Sequence, residues 1–498
     1  MAFNRTDRSA VVDIGSNSVR MVAYDRDDRS LEPIFNEKAM SGLGRHLLAT
    51  GKLDPEGKAS ALAMLARFRL VAAHMGVGRI RAVATAAARY AADGPAFIEQ
   101  AEAALGVRIQ ILSGEEEAQL SALGVICGIP DADGVICDLG GGSLEIADIA
   151  NRRISAPRSL PLGTLAIDDI KAKRKEAQAI RDFLKQVPAG MAAGRALYLV
   201  GGAWRALAKQ HFTVKRVPIR IIHQYTLAAE EAHRFAASVG RANLDDSGKL
   251  KAISSRRRIN APYSGRLLAQ LIARVKPATV VFSAYGLREG VEFDQMSAEC
   301  QEADPLIAHC RDVGRSGARV AFDGDRLADW AGRAFLTPPG SARLVRAAAW
   351  LSDMSGNDHP DYRGHHAAAR ALHLASAGVN HQERVFLATA VYARYHGYGL
   401  EDALADAAKL LDEPARRQAT ALGMTFRLAH AIEPGDGVGP LPSLRERFQL
   451  RRDGQQLALI GDGAPLEALG ETVRKRLNQL SKELGVEAAV LSAQSAAA

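Results

Sequence analysis

The sequence predicts an α/β protein of two related half-domains followed by a helical region, on three observations. A strand–turn–strand pattern occurs twice, once around Asp13-Ile14-Gly15-Ser16-Asn17-Ser18 and again around Asp138-Leu139-Gly140-Gly141-Gly142-Ser143. Asp13 matches Asp138, Gly15 matches Gly140 and Ser18 matches Ser143, so the copies read as one duplicated unit, facing itself across a cleft. Between and after them, apolar runs of strand length alternate with helical stripes, the pattern of a layered domain with a mainly parallel or mixed sheet. From about Asp304 the strand-like runs vanish, and Ala, Leu, Arg and His dominate to the end, which reads as an all-α domain.

The elements follow in order. Leu43 to Thr50 and Pro55 to His74 read as helices, the second with an apolar stripe through Leu62, Leu65, Phe68 and Ala72. Gly76 and Gly78 stop it, and Ile80 to Ala84 is a strand. A polar turn, Thr85 to Arg89, leads into a helix ending near Gly106, and Val107 to Leu112 is a strand. Ser113-Gly114-Glu115-Glu116 is a capping box opening a helix that runs to about Gly128. Pro130 to Gly134 marks a junction. The second hairpin follows it, then a helix over Asp168 to Lys185 and strands at Leu197 to Val200 and Thr279 to Phe282. The expected domains are 1–132, 133–303 and 304–498, with a frayed tail after Val490.

At 498 residues the chain needs several cores, and 47% apolar content is enough to fill them. No run approaches membrane-span length and the first residues hold no apolar signal core, so the expected location is cytoplasmic, with no membrane partner. The four cysteines have no zinc or redox spacing and read as reduced thiols. A net charge of +8 favours polyanionic partners, or else reflects an Arg-rich solvated surface. Aromatics at 5% leave few stacking platforms, which argues against nucleic acid.

The duplicated turns carry the chemistry. Gly15, Ser16, Asn17 and Ser18, with Gly140, Gly141, Gly142 and Ser143, offer backbone N–H groups and small polar side chains that suit phosphate. Asp13, Asp138 and Glu145 are hard-oxygen donors for Mg²⁺. The structural alternative is a pair of glycine-rich hairpins capped by buried aspartates. Arg89, just past a strand end, reads equally as a phosphate clamp or a helix-surface arginine. Glu115, Glu116 and Glu117 suit a helix first turn by charge alone. Glu116 is spent on the cap, whereas Glu117 shares a narrow face with Ser121 and Gly124 and is free to act as a base for water. The scattered histidines His359, His365, His366, His373, His381 and His396 lack tight ligand spacing.

Five ordered motifs resemble the Ppx/GppA family of exopolyphosphatases and guanosine pentaphosphate phosphohydrolases. They are Asp13 to Ser18, Ala84 to Arg89, Leu112 to Ala118, Asp138 to Glu145 and Gly286 to Gly290, and they cover roughly the first 300 residues. The resemblance implies two ribonuclease-H-like halves of the actin-like ATPase and sugar-kinase superfold, with the active site between them. It makes Glu117 the catalytic base, with Arg89, the loop residues Asn17, Ser18, Gly141, Gly142 and Ser143 on phosphate, and Asp138 and Glu145 handling Mg²⁺ with Asp13 nearby. Gly201-Gly202 resembles the family's nucleoside-binding glycines, but Ala203-Trp204-Arg205 departs from the usual small polar continuation. The C-terminal region resembles an HD-like helical domain in which Ser352 stands where the metal-binding histidine would precede Asp353. In longer relatives this domain aids dimerisation and lengthens a basic channel, for which Arg256, Arg257, Arg258 and Arg363 are candidates. The implied activity is Mg²⁺-dependent release of terminal phosphate from inorganic polyphosphate by a homodimer. Guanosine penta- or tetraphosphate and ADP are further candidate ligands, and a kinase or a non-hydrolytic alarmone-binding regulator is the competing class.

Overall fold

The computed structural model describes residues 8–25, 29–165, 173–242, 250, 252–335, 341–400, 404–433, 435, 443–462 and 469–493. The chain forms two compact units, Met1–Ala303 and Asp304–Ala498.

The first unit holds both halves of the duplication. Strands β1 (Ser9–Ile14), β2 (Val19–Asp25), β3 (Glu32–Ala39), β4 (Arg79–Ala84) and β5 (Ile109–Ile111) form a sheet of order β3-β2-β1-β4-β5. The second sheet is built from β6 (Gly134–Leu139), β7 (Leu144–Ala150), β8 (Arg153–Leu160), β9 (Ala196–Val200), β10 (Tyr225–Ala228) and β11 (Thr279–Phe282), in the order β10-β11-β9-β6-β7-β8. Each half starts with an antiparallel meander of three strands, to which the next strand adds in parallel beside the first. Read from the third meander strand, the two orders coincide, with one antiparallel edge strand added in the second half. The first and central strands are apolar on both faces because both faces are covered.

Helices Pro55–His74 and Gly94–Leu105 cover one face of the first sheet, packing Leu65, Phe68 and Phe97 on Val12 and Ile14. The helix Gly114–Gly128 packs on the other face, in a core shared by both halves through Val11, Val83, Val125, Ile136, Ala147 and Val200. Its start is the expected capping box: Glu116 N–H donates to Ser113 Oγ at 3.1 Å and Ser113 N–H to Glu116 Oε2 at 2.7 Å. Two segments differ from the sequence reading. Only Leu47–Thr50 of the expected Leu43-to-Thr50 helix forms, because the N–H groups of Gly42 and Gly44 donate instead to Asn17 and Ser16 carbonyls at 3.1 and 2.7 Å. The expected turn after β4 is itself a short helix, Ala86–Tyr90. The expected Asp168-to-Lys185 helix is seen as Lys173–Leu184, its start lying outside the described residues.

The second unit is helical, with Pro305–Gly317, Ala342–Trp350, His381–His396 and Glu413–Ile432 among its helices. One expectation is corrected. Strands do not vanish, since β12 (Phe448–Asp453), β13 (Gln456–Gly461) and β14 (Glu487–Ser492) form a three-stranded sheet. Phe448 and Leu450 alternate with exposed polar residues and bury against the unit, a period-2 signal only a few residues long. The strand β14 also carries order past Val490, to Ser492. No described helix is long and apolar enough to cross a membrane.

Candidate active site

The repeated hairpins close their turns identically. Gly15 N–H donates to Ser18 O and Gly140 N–H to Ser143 O, each at 3.0 Å. The two turns meet across the cleft: a β-carbon added to Gly142 would lie 2.9 Å from Ala86 Cβ and 3.0 Å from Ser16 Oγ. Leu165 N–H, donating to Gly141 O at 2.8 Å, helps pin the second turn. Between them opens a cavity of about 360 Å³, lined by all eight predicted loop residues. Asp13, Glu117, Asp138 and Glu145 line it as well.

Glu117 sits one turn into the helix Gly114–Gly128 and is only 8% exposed. Arg89 Nη1 donates to its Oε2 at 3.2 Å and to Leu112 O at 2.5 Å. Arg89 therefore stands beside Glu117 and is not part of the cavity wall; here it orients the carboxylate. Burial and the nearby Glu145 push the Glu117 carboxyl well above the usual carboxylate range, with Arg89 pulling the other way. The face expected to continue from Glu117 is buried and packs on two residues that line the cavity, Asp138 and Gly286. Ser121 Oγ donates to Asp138 Oδ2 at 2.7 Å, and a β-carbon on Gly124 would fall 1.9 Å from Gly286 O.

Asp138 and Glu145 are register partners on β6 and β7, and Glu145 faces Ser159 on β8, whose Oγ donates to Oε1 at 2.8 Å. Burial and Asp138 raise Glu145 to about 7, and burial raises Asp138 too. Both are hard oxygen donors, and burial is the main reason that their carboxyls lie above the usual range. Asp13 differs, because Arg288 Nη1 donates to its Oδ2 at 3.1 Å. Among the described residues no three His, Cys, Asp or Glu side chains converge into a complete metal cage. A site of two carboxylates suits Mg²⁺, which keeps waters and takes phosphate oxygens for the rest of its shell.

On the other wall of the cavity stand Arg20, Lys38, Arg205, Arg257 and Arg288, of which the sequence reading had named Arg257 as a channel candidate and assigned no role to the rest. Arg20 was signalled: it follows Asp13 by the same seven residues that separate Glu145 from Asp138. Of the basic-channel candidates only Arg257 lines the cavity. Arg258 Nη2 donates to Ile253 O at 3.3 Å, the Arg256 side chain is outside the described residues, and Arg363 belongs to the second unit, donating to Asp358 O at 2.9 Å. In that unit Asp353 is 1% exposed and accepts from Arg319 Nη2 at 3.0 Å and Arg394 Nη2 at 2.9 Å, while Ser352 Oγ lies 2.9 Å from His430 Nε2.

Two halves of matching strand order, each opening on a glycine-rich hairpin, give the expected fold class, two ribonuclease-H-like halves of the actin-like ATPase and sugar-kinase fold. Within that class the chain belongs to the Ppx/GppA phosphatase family, whose model matches residues 21–299; a second model, for the exopolyphosphatase C-terminal region, matches 307–491. Exopolyphosphatase 1 of Mycobacterium tuberculosis is 26% identical over 314 residues, which are 59% of this chain and 89% of that protein. A solved Ppx/GppA family protein of Aquifex aeolicus superposes with a TM-score of 0.51 at 22% identity, covering 58% of this chain and 99% of its own. An exopolyphosphatase of Cytophaga hutchinsonii superposes with a TM-score of 0.52 at 20% identity, covering 57% of this chain and 96% of its own.

Proposed function

We propose that the protein is an exopolyphosphatase that hydrolyses the terminal phosphoanhydride bond of inorganic polyphosphate. The observation that carries the reading is Glu117, held by Arg89 on the wall of a cavity whose two ends are phosphate-type turns. The N–H groups of Gly15 to Ser18 and Gly140 to Ser143 grip the terminal phosphoryl oxygens and neutralise charge as it spreads over them. Glu117 takes a proton from water, which attacks phosphorus in line with the departing chain. Burial raises its basicity, and the Arg89 guanidinium opposes that rise and holds the carboxylate in place. Asp138 and Glu145 are the residues that would hold Mg²⁺, which supplies further charge neutralisation on the phosphate oxygens. The name of the Mycobacterium tuberculosis relative, Exopolyphosphatase 1, supports the substrate class.

The test is phosphate release from long-chain polyphosphate with Mg²⁺, wild type beside Glu117→Gln, a near-isosteric change. The expected loss in kcat is about 10²–10⁴-fold with an unchanged melting curve. Near-normal turnover in the variant would remove Glu117 from the role of base.

A further inference from the structure

A hydroxyl inside a helix has a default partner, the carbonyl one turn back, because that oxygen is always within reach. Three buried helix hydroxyls of this chain follow the default. Ser264 Oγ donates to Asn260 O at 2.9 Å, and Thr389 Oγ1 and Thr425 Oγ1 donate to Val385 O and Ala421 O at 2.8 Å each. Ser121 departs from it. It is fully buried on the helix Gly114–Gly128, where the default partner would be Glu117 O. Its one hydroxyl proton goes instead to Asp138 Oδ2 at 2.7 Å, on β6 of the second half.

The departure matters because of what else the helix carries. Glu117 lies one turn before Ser121 on the same face, so a bond from Ser121 ties Asp138 to the base through a single turn of stiff backbone. The same helix meets Glu145 at its first residue. A β-carbon added to Gly114 would lie 2.5 Å from Ser159 Cβ, and Ser159 Oγ donates to Glu145 Oε1 at 2.8 Å. Gly114, Glu117 and Ser121 follow one another at spacings of three and four, which is one helical face. That face reaches the acidic pair twice, once by donating a hydroxyl and once by resting on the serine that donates another. Glu117 stands between the two contacts.

The two carboxylates are not held equally. Among the described residues Ser121 Oγ is the one hydroxyl that donates to Asp138, whereas Glu145 also has the Ser143 hydroxyl beside it. The positions facing the two oxygens of Asp138 are glycines, Gly201 and Gly286, so no side chain at those positions fixes its rotation. Each serine takes one carboxylate oxygen, Oδ2 of Asp138 and Oε1 of Glu145, and so orients the group without enclosing it.

We infer that Ser121 and Ser159 are positioning residues, hydroxyls that hold Asp138 and Glu145 in a fixed place against the helix that carries Glu117. The inference rests on the metal-assisted hydrolysis proposed above and names what keeps its two parts in register. A misplacement of about 1 Å between reacting groups costs about 10²-fold in rate. Two free carboxylate side chains would not hold that tolerance relative to Glu117, and hydroxyls tied to one helix would.

The probes are Mn²⁺, a hard cation titrated into the full chain by calorimetry without substrate, and inorganic tripolyphosphate, hydrolysed with saturating Mg²⁺. Ser121→Ala is expected to weaken Mn²⁺ binding and to lower kcat, each by about 10–100-fold, with KM little changed. Ser121→Thr keeps the hydroxyl and should restore most of both. Ser159→Ala should act in the same direction more weakly, because Ser143 remains. A serine that merely satisfies a buried carboxylate would shift the melting temperature and leave Mn²⁺ affinity and kcat alone. If Ser121→Ala does not fold, Ser159→Ala decides by the same readouts. Unchanged Mn²⁺ affinity and kcat in the folded alanine variants overturn the inference, and so does a wild type that binds no Mn²⁺. A wild type that binds Mn²⁺ with the help of Ser121 yet hydrolyses no phosphoanhydride refutes the proposed function and leaves the positioning role standing.

Discussion

Single side chains in this cleft take their properties from register and burial, and Lys38 is the sharpest case. Burial first, then Arg257 and Arg205 from the second half and Arg20 on β2, bring it to about 8, with Asp13 on β1 pulling the other way. The sign follows directly: below that pH Lys38 is charged and attracts phosphate, and above it the charge is lost. Tripolyphosphate affinity is therefore expected to fall as pH rises from about 8 to about 10, in a window where arginines keep their charge. A bound anion favours the protonated form and moves the midpoint upward. Lys38→Arg should flatten the profile, and a profile of equal slope in both proteins would detach Lys38 from the ligand. Little of this was legible beforehand. The glycine-rich turns and Glu117 stand within contiguous motifs, so the chemistry proposed for them shows in the order of residues. Lys38 enters the site only through pairing with Arg20, and Arg205 only through the fold of a distant half, and neither leaves a local pattern. Arg89 read equally as a phosphate clamp or a helix-surface arginine, because its distance from Glu117 is set by packing between residues 28 positions apart.

The helix Gly114–Gly128 is the element that turns the fold into a site. Its capping box was readable because every bond in it is local. Its packing was not, because it depends on glycine meeting glycine across the halves. A β-carbon on Gly124 would lie 1.9 Å from Gly286 O, and one on Gly290 would lie 1.8 Å from Leu120 O. These contacts let Gly114–Gly128 lie against Leu287–Phe293 at backbone distance, and Glu117 lies two turns from Gly124 on the same helix. Backbone atoms cannot rotate away as a side chain can. Gly124→Ala must then separate the two helices and carry Glu117 from its place between Arg89 and the phosphate turns. The expected cost is about 1–3 kcal/mol of stability, typical of an overpacked interior. It should come with a fall in kcat larger than any change in KM. A calorimetric melt beside steady-state kinetics checks both, and a fully active, unshifted variant would show that the helices tolerate separation.

At the scale of the molecule, the proposed chemistry draws on residues of one of the two units. Every residue lining the cavity lies between Asp13 and Arg288, and the three large apolar clusters of the sheets and their helices are complete within Met1–Ala303. A unit with its own cores and short-range closure has what it needs to fold alone. Among the described residues the second unit offers no comparable constellation. Where a histidine–aspartate metal site would stand, Asp353 is enclosed by Arg319 and Arg394, so its charge is already neutralised by protein. Removing that carboxylate by Asp353→Ala would strand buried guanidinium and destabilise the second unit by about 3–5 kcal/mol without touching the cavity. The stronger test is to divide the chain. Residues 1–303 expressed alone are expected to melt cooperatively and to hydrolyse tripolyphosphate with a kcat within about threefold of the full chain, since none of the catalytic or phosphate-binding groups is removed. Residues 304–498 alone are expected to release no phosphate. If the first fragment folds but loses turnover, some group beyond Ala303 completes the site, and the catalytic assignment to the first unit alone is wrong. If both fragments behave as expected, the helical unit acts on long chains or on assembly, and its contribution should appear only when substrates of increasing length are compared between the fragment and the whole protein.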